Sequence, residues 1–403
     1  MKACILNIDE AVLCGAEPNE CSEFISSQIF SKGGVVEEQQ ILKFDEQKIN
    51  NFLSRQKDVD FVFILCEDNI TSYQKSKEII SSFCKDELVD NSFAQNAVDN
   101  YYNSFSLRRD KFYTKAGQIP RNAKCIINKF SRFQGFYSEY NDKTYFFLPS
   151  NLTSIKYMME DTISSLISNK FKNLHKNTIY KLFGLTKEQT LSKIEDLLSN
   201  KNKIKVNIYQ NGLEQTIKIE YSNYSPIEDV NAFIAELINR LGANIFAVED
   251  LSIYEIAFYL LKANKATLAV AESITGGNIT ANLIKYNSGI SQYLKEGIVT
   301  YTNLSKINRL KLTEQFLDKY TDVSAETAYE MCAGLLETSK ADICLSTCGY
   351  AELENTNAGY AFIAVGDNSG IHVFKTSVSG TREQVIEMIT KSALFHLIKK
   401  LKK

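Results

Sequence analysis

The stretch Thr267–Lys306, TLAVAESITGGNITANLIKYNSGISQYLKEGIVTYTNLSK, decides how the rest of the chain is read. It opens on a short apolar run, Thr267 to Ala271, of the kind that forms a buried strand. Glu272 and Ser273 follow, then the pair Gly276-Gly277, then Ile279, Leu283 and Ile284 at helical spacing. A serine between a strand end and a glycine-softened helix start lies where backbone N–H groups point outward. Such donors can stabilise an oxyanion or bind a phosphate. A second strand-like run, Gly297–Thr302, ends in Tyr301 and is followed by Lys306. Serine, tyrosine and lysine close to strand ends form a set suited to hydrolysis. Each also has a plainer reading, as helix cap, core residue and solvated lysine.

Around this stretch the sequence predicts an α/β arrangement. The run Ser252–Ala263 carries Ile253, Ile256, Ala257, Leu260 and Leu261 at the spacing of a core-facing helix. Ser324 caps a helix over Ser324–Ser339, and Ala341–Thr347, Gly359–Val365 and Ile371–Ser377 read as strands of a mixed sheet. A last helix is expected from Arg382 to Lys400.

With 403 residues, 44% apolar and 23% charged, the chain is long enough for two or three domains of ordinary globular composition. Lys and Arg total 46 against 48 for Asp and Glu, so no cationic field draws in nucleic acid. The terminal Lys399–Lys403 run reads as a solvated helix end. Nine dispersed cysteines without a signal segment argue for a reducing cytoplasm. No apolar run approaches the length of a membrane span. The Cys344-x-x-x-Cys348 spacing lacks a second ligand pair, and three scattered histidines (His175, His372, His396) form neither a metal cluster nor a triad.

Upstream, Lys2–Asn7 reads as a strand, Cys21–Ser31 as a helix, Val59–Leu65 as a second strand and Tyr73–Phe83 as a helix, which predicts a mostly parallel sheet. The ligand side of such a sheet would include the loop Cys66–Thr71. Ser164–Asn200 looks polar and helical. Ile204–Ile208 and Gln215–Tyr221 flank Asn211-Gly212 as a hairpin, and Asp229–Leu241 reads as a helix with Phe233, Ile234, Leu237 and Ile238 inward.

Several ordered motifs resemble the CinA family. Ala271-Glu272-Ser273-Ile274-Thr275-Gly276-Gly277 is similar to its AESCTGG, Gly297–Lys306 to GVVAYSNEAK, Val323–Glu326 to VSEE, and Ser379–Arg382 to SGDR. The resemblance implies a three-domain chain, two α/β sheet domains joined by a small α+β module. A MoaB-like, molybdopterin-binding-like domain would span 1–165, a KH-like module 166–248, and a nicotinamide-mononucleotide deamidase-like domain 249–403. The module has no GxxG loop, so a spacer or dimerisation role is expected, with a homodimer as the assembly.

That family implies hydrolysis of a carboxamide to a carboxylate and ammonia, with Ser273 as nucleophile, Lys306 as base and Tyr301 assisting. It needs neither metal nor cofactor. Glu272, Thr275, Gly276, Gly277, Thr347 and Arg382 would bind the nucleotide, Arg382 at its phosphate. A lysine base working near neutral pH needs a depression of about 3 pH units, roughly 4 kcal/mol. Several family signatures are altered, among them LPGPPxE, which reads Leu148-Pro149-Ser150-Asn151-Leu152-Thr153-Ser154. The GGLGPT loop and its following aspartate pair read Cys66-Glu67-Asp68-Asn69-Ile70-Thr71 and Tyr73-Gln74, so the pyrophosphatase-type activity of that domain is expected to be lost. The TGIAGPDGG loop reads Thr347–Glu354 and gains Glu352 and Glu354, which would disfavour an anionic ligand. A non-catalytic scaffold or regulatory protein is the alternative.

Overall fold

The computed structural model describes residues 1–170, 175–199, 204–222, 225–352 and 358–402. It separates into two compact units, Met1–Asn177 and Thr178–Lys403. Glu354 and Lys403 lie outside the described residues, as does the side chain of His175.

The first unit is built on a six-stranded sheet. Its strands are β1 (Lys2–Ile8), β2 (Val35–Leu42), β3 (Phe61–Cys66), β4 (Lys124–Ile126), β5 (Gly135–Tyr140) and β6 (Lys143–Pro149). They lie in the order β2-β1-β3-β6-β5-β4, parallel from β2 to β6 and antiparallel at the β5–β4 edge. Every residue of β3 is buried, as a run covered on both faces requires. Helix α1 (Glu20–Ser31) packs Ile25 and Ile29 on one face. Strand β2 has the polar sequence VVEEQQIL and no apolar run announces it; it is the sheet's edge, so burial does not dictate its composition.

Helix α2 (Ile70–Phe83) starts at Asn69, whose side chain accepts the N–H groups of Thr71 and Ser72 at 3.0 and 3.1 Å. The next two altered positions have joined the interior. Tyr73 is 1% exposed, lies 4.6 and 4.7 Å from the rings of Phe133 and Phe147, and donates to the Gln134 carbonyl at 2.9 Å. Gln74 is buried and donates to Glu78. Tyr73→Phe leaves that carbonyl without its donor and should cost about 1 kcal/mol, read as a lower urea midpoint at unchanged slope.

The second unit holds two sheets. One comprises β7 (His175–Phe183), β8 (Ile204–Asn211), β9 (Glu214–Ser222) and β10 (Ile245–Ala247), in the order β8-β9-β7-β10, with helices α3 (Lys187–Ser199) and α4 (Ile227–Leu241). The expected hairpin is present and turns on Gly212, whose φ of +60° suits glycine. The stretch expected to be wholly helical instead contains β7. Its Ile179, Tyr180, Leu182 and Phe183 are all buried, so the sheet takes up residues whose local pattern is ambiguous. Ile238, expected inward on α4, is 43% exposed; Leu241 and Val230 fill the core instead.

The other sheet runs β12-β11-β13-β14-β15, with β11 (Leu268–Glu272), β12 (Leu294–Val299), β13 (Ile343–Tyr350), β14 (Ala358–Asp367) and β15 (Gly370–Ser379). Both neighbours of β11 are parallel to it, and β14 and β15 continue antiparallel. The expected mixed α/β sheet is present. Around it lie α5 (Ile253–Asn264), α6 (Asn278–Tyr286), α7 (Asn303–Leu310), α8 (Ala325–Ser339) and α9 (Arg382–Leu401). Ser252 and Glu255 close a capping box at α5. Ala328, Met331, Cys332 and Leu335 of α8 are all fully buried. Ile284 departs from its expected role and is 57% exposed. The carboxy-terminal lysines are not merely solvated: Lys400 pairs with Asp367 at 2.8 Å, and Lys402 donates to the Phe246 carbonyl at 3.0 Å.

Candidate active site

Strand β11 is wholly buried and ends in Glu272, with Ser273 immediately beyond. The chain then turns through Gly276 and Gly277, at φ +59° and +97°, conformations that carry little strain only for glycine. This reverses the backbone into α6 within a few residues and leaves Ser273 on the bend. The Ser273 N–H donates to the Thr347 carbonyl at 3.0 Å and its own carbonyl accepts from Gly276 at 3.1 Å. Ser273 as a whole is 6% exposed, and its hydroxyl makes no hydrogen bond among the described residues.

Glu272 does not do what the sequence suggested. Its side chain is fully buried, and its carboxylate accepts the N–H groups of Gly277 (2.9 Å), Ile279 (3.0 Å) and Thr280 (2.9 Å) and the Thr280 hydroxyl (2.7 Å). A carboxylate is favoured at a helix N-terminus because it meets unpaired N–H groups and the positive end of the helix dipole. The protein has thereby filled the α6 N-terminus itself. Those donors are unavailable to a ligand phosphate. Thr347 is likewise corrected: it is fully buried, its hydroxyl 2.8 Å from that of Thr275, and so it ties β13 to the serine turn.

Lys306 and Tyr301 exchange their expected exposures. Lys306 falls in α7 and is 1% exposed, with Nζ donating to the Asp322 carbonyl at 3.2 Å. Burial lowers its pKa below the ordinary lysine value, partly offset by the nearby Asp322 carboxylate and Cys348 thiol. Cys348, one residue beyond Thr347, is fully buried, and burial pushes its thiol up to about 11. Tyr301 lies past the end of β12 and is 60% exposed; its hydroxyl accepts from Arg382 at 3.3 Å. Neither Lys306 nor Tyr301 hydrogen-bonds Ser273. Arg382 opens α9 and also lies 3.9 Å from Glu352, a solvent-exposed pair of small energetic weight. His372 is exposed and His396 is stacked on Phe374 at 3.8 Å; neither is among the partners of Ser273.

Thr275, Gly276, Gly277 and Arg382 share one cavity of about 1320 Å³. Ser273, Lys306 and Tyr301 are not among its lining residues, so the cavity reaches the serine turn without enclosing the serine. The sequence reading missed the rest of the cavity wall. Asn278, Ala281, Asn282, Lys285 and Tyr286 line it from α6, at positions i, i+3, i+4, i+7 and i+8. A polar face at helical spacing directly after the glycine pair was the available signal.

Residues 251–401 match the family model of the CinA C-terminal domain. A relative in Clostridium beijerinckii, named a competence-damage inducible protein, is 28% identical over 404 residues, 96% of each chain. The carboxy-terminal domain is thus similar to the CinA family, and the full-length relatives extend that similarity to the rest of the chain. A relative of the same name in Alkaliphilus metalliredigens is 29% identical over the whole of both chains. A CinA superfamily protein of known crystal structure from Klebsiella pneumoniae is 26% identical; the match covers 38% of this chain and 99% of that one, with a TM-score of 0.35. In this chain the AESITGG segment is the β11 end and the serine turn that leads into α6. Among the described residues no helix is long and apolar enough to cross a membrane.

Proposed function

We propose that the carboxy-terminal part of this protein is an amidohydrolase that converts the carboxamide of nicotinamide mononucleotide, or a related amide, to a carboxylate and ammonia. The observation that carries this reading is the unpartnered Ser273 hydroxyl on a glycine-built turn at the end of a central strand. The N–H groups of Ile274 and Thr275, on the same turn, make no hydrogen bond among the described residues and are the candidate oxyanion donors.

The steps follow from these groups. The Ser273 oxygen attacks the amide carbon while its proton passes to neutral Lys306, and the carbonyl oxygen becomes an oxyanion beside the turn. Collapse breaks the C–N bond, and the leaving nitrogen takes the proton back as ammonia. Water, deprotonated in turn by Lys306, hydrolyses the serine ester to the carboxylate and restores both groups. For direct transfer Lys306 must leave the Asp322 carbonyl for Ser273 on substrate binding, a tightening that catalytic pairs commonly undergo. Arg382, beside Tyr301, is the cation for the phosphate.

A neutral base sets the pH dependence. Because the folded pKa of Lys306 lies below its ordinary value, the unfolded chain binds more protons between the two, and stability rises with pH across that window. The kcat/KM profile should accordingly climb on a limb below the ordinary lysine pKa. Lys306→Met should remove that limb and lower kcat by about 10²- to 10⁴-fold. A pH profile unchanged in Lys306→Met would exclude it as the base.

The absence of a hydrogen bond from Ser273 to Lys306 or Tyr301 favours a second reading, a CinA-like scaffold or regulatory protein without turnover. Ammonia release from nicotinamide mononucleotide by the pure chain decides between them. For the first unit, a pyrophosphatase reading is disfavoured: Tyr73 and Gln74 stand in the core where the family's aspartate pair would stand, and Asn69 caps α2. The same proposal includes a division of the chain into three domains and its assembly as a homodimer.

A further inference from the structure

The base of the proposed reaction is held by a strained corner of the chain. The short helix Glu314–Tyr320 passes into α8 through Thr321, Asp322, Val323 and Ser324. Thr321 adopts φ +67° and ψ 169°, a region that is essentially glycine's own. A β-branched residue stays there only where its surroundings over-determine it. Three hydrogen bonds do so. The Thr321 N–H donates to the Leu317 carbonyl at 2.9 Å, and its hydroxyl donates to the Val323 carbonyl at 3.2 Å. Its carbonyl accepts from the Thr327 hydroxyl at 2.6 Å.

That corner presents the Asp322 carbonyl to Lys306 Nζ at 3.2 Å, the one hydrogen bond Nζ makes among the described residues. Two titratable groups face Lys306, the Asp322 carboxylate from the corner and the Cys348 thiol from β13. The thiol is fully buried, donates to the Ser324 carbonyl at 3.4 Å, and is pushed by burial up to about 11, so it is uncharged at neutral pH. Of the two, only the carboxylate opposes an ammonium at Nζ. Tyr350, at the end of β13, hydrogen-bonds that carboxylate through its hydroxyl. A lysine that accepts the Ser273 proton becomes an ammonium in a buried place, and burying a charge is costly unless an opposite charge meets it.

We propose that Asp322 is the positioning residue of this base: its carbonyl seats Nζ before substrate binds, and its carboxylate supplies the counter-charge when Nζ takes the serine proton. Ser273, Lys306 and Asp322 then act in series, Asp322 through Lys306 alone. The proposal rests on the amidohydrolase reading for the proton that Lys306 receives.

The test is a carbon-13 NMR titration of the full chain labelled at lysine Cε, with the Lys306 signal identified by its absence in Lys306→Met. Asp322→Asn and Asp322→Glu leave the backbone carbonyl in place, so both should fold with Nζ still seated. Removing the carboxylate takes away an influence that raises the Lys306 pKa, so Asp322→Asn should lower its titration midpoint by about 1 pH unit. Asp322→Glu should return the midpoint to near that of the unmodified chain. The acid limb of kcat/KM should follow the midpoint in both variants. A merely structural role for Asp322 would lower stability and leave the midpoint unmoved. A midpoint that Asp322→Asn leaves in place, or that Asp322→Glu does not restore, overturns the proposal, as does a limb that fails to follow the midpoint. Ammonia release by the unmodified chain is scored separately: its absence removes the amidohydrolase reading, while the midpoints still decide whether Asp322 governs Lys306.

Discussion

Ser273→Ala should eliminate ammonia release from nicotinamide mononucleotide, by at least about 10⁴-fold in kcat, while leaving the fold intact. The size follows from the role: loss of a nucleophile removes the covalent pathway, and what remains is binding and the oxyanion donors. The second half of the expectation follows from the bonding. The Ser273 hydroxyl makes no hydrogen bond among the described residues, and its removal strands no partner. The stability change should therefore stay within about 0.5 kcal/mol. Activity and stability measured on the same preparation separate the two roles open to this serine. A structural serine would lower the urea midpoint and spare the rate. Ammonia release persisting in Ser273→Ala at near the unmodified rate would remove it as nucleophile.

Glu272→Ala should be the most damaging single change near the site for stability. One buried carboxylate serves three backbone N–H groups and a hydroxyl, and alanine leaves all four without their acceptor. Breaking such a buried charged network costs about 3–5 kcal/mol. For a unit of this size that corresponds to a fall of about 10 °C in the transition that includes it. Glu272→Gln keeps the shape but turns an NH₂ donor toward N–H groups that need an acceptor, so it should fall between the two. Glu272→Ala melting at the temperature of the unmodified chain would show that α6 does not depend on its carboxylate. A loss of activity in these variants comes from the serine turn coming loose, since Glu272 reaches no ligand.

How far the sequence could be read depended on whether each residue's role was set by its neighbours in the chain. Strand β3, strand β11 and helix α8 were legible because burial on both faces, or on one helical stripe, imposes a continuous or periodic apolar pattern. Strand β2 was not, because an edge exposed to water tolerates VVEEQQIL, and β7 was not, because its apolar residues are spaced ambiguously. The serine turn was legible from Gly276-Gly277. The bonding around it was not, because Glu272 meets Thr280 eight residues on, Thr275 meets Thr347 across the sheet, and Lys306 meets Asp322 from another segment. Lys306 shows the limit most clearly. Its chain neighbours suggest a solvated side chain, and only the packing of α7 shows it buried.

The seating of Gly212 against Met388 bears on where this protein can be cut. Similarity to the CinA C-terminal domain begins at residue 251, yet Phe183 and Phe246, upstream of it, share one core with Leu261, Leu268 and Leu397. A fragment beginning at 251 would bare that core, uncover Met388 and strip Lys391 of Glu214. The module boundary that similarity draws is thus not a boundary of cohesion, and the shortest piece expected to remain soluble begins upstream of β7.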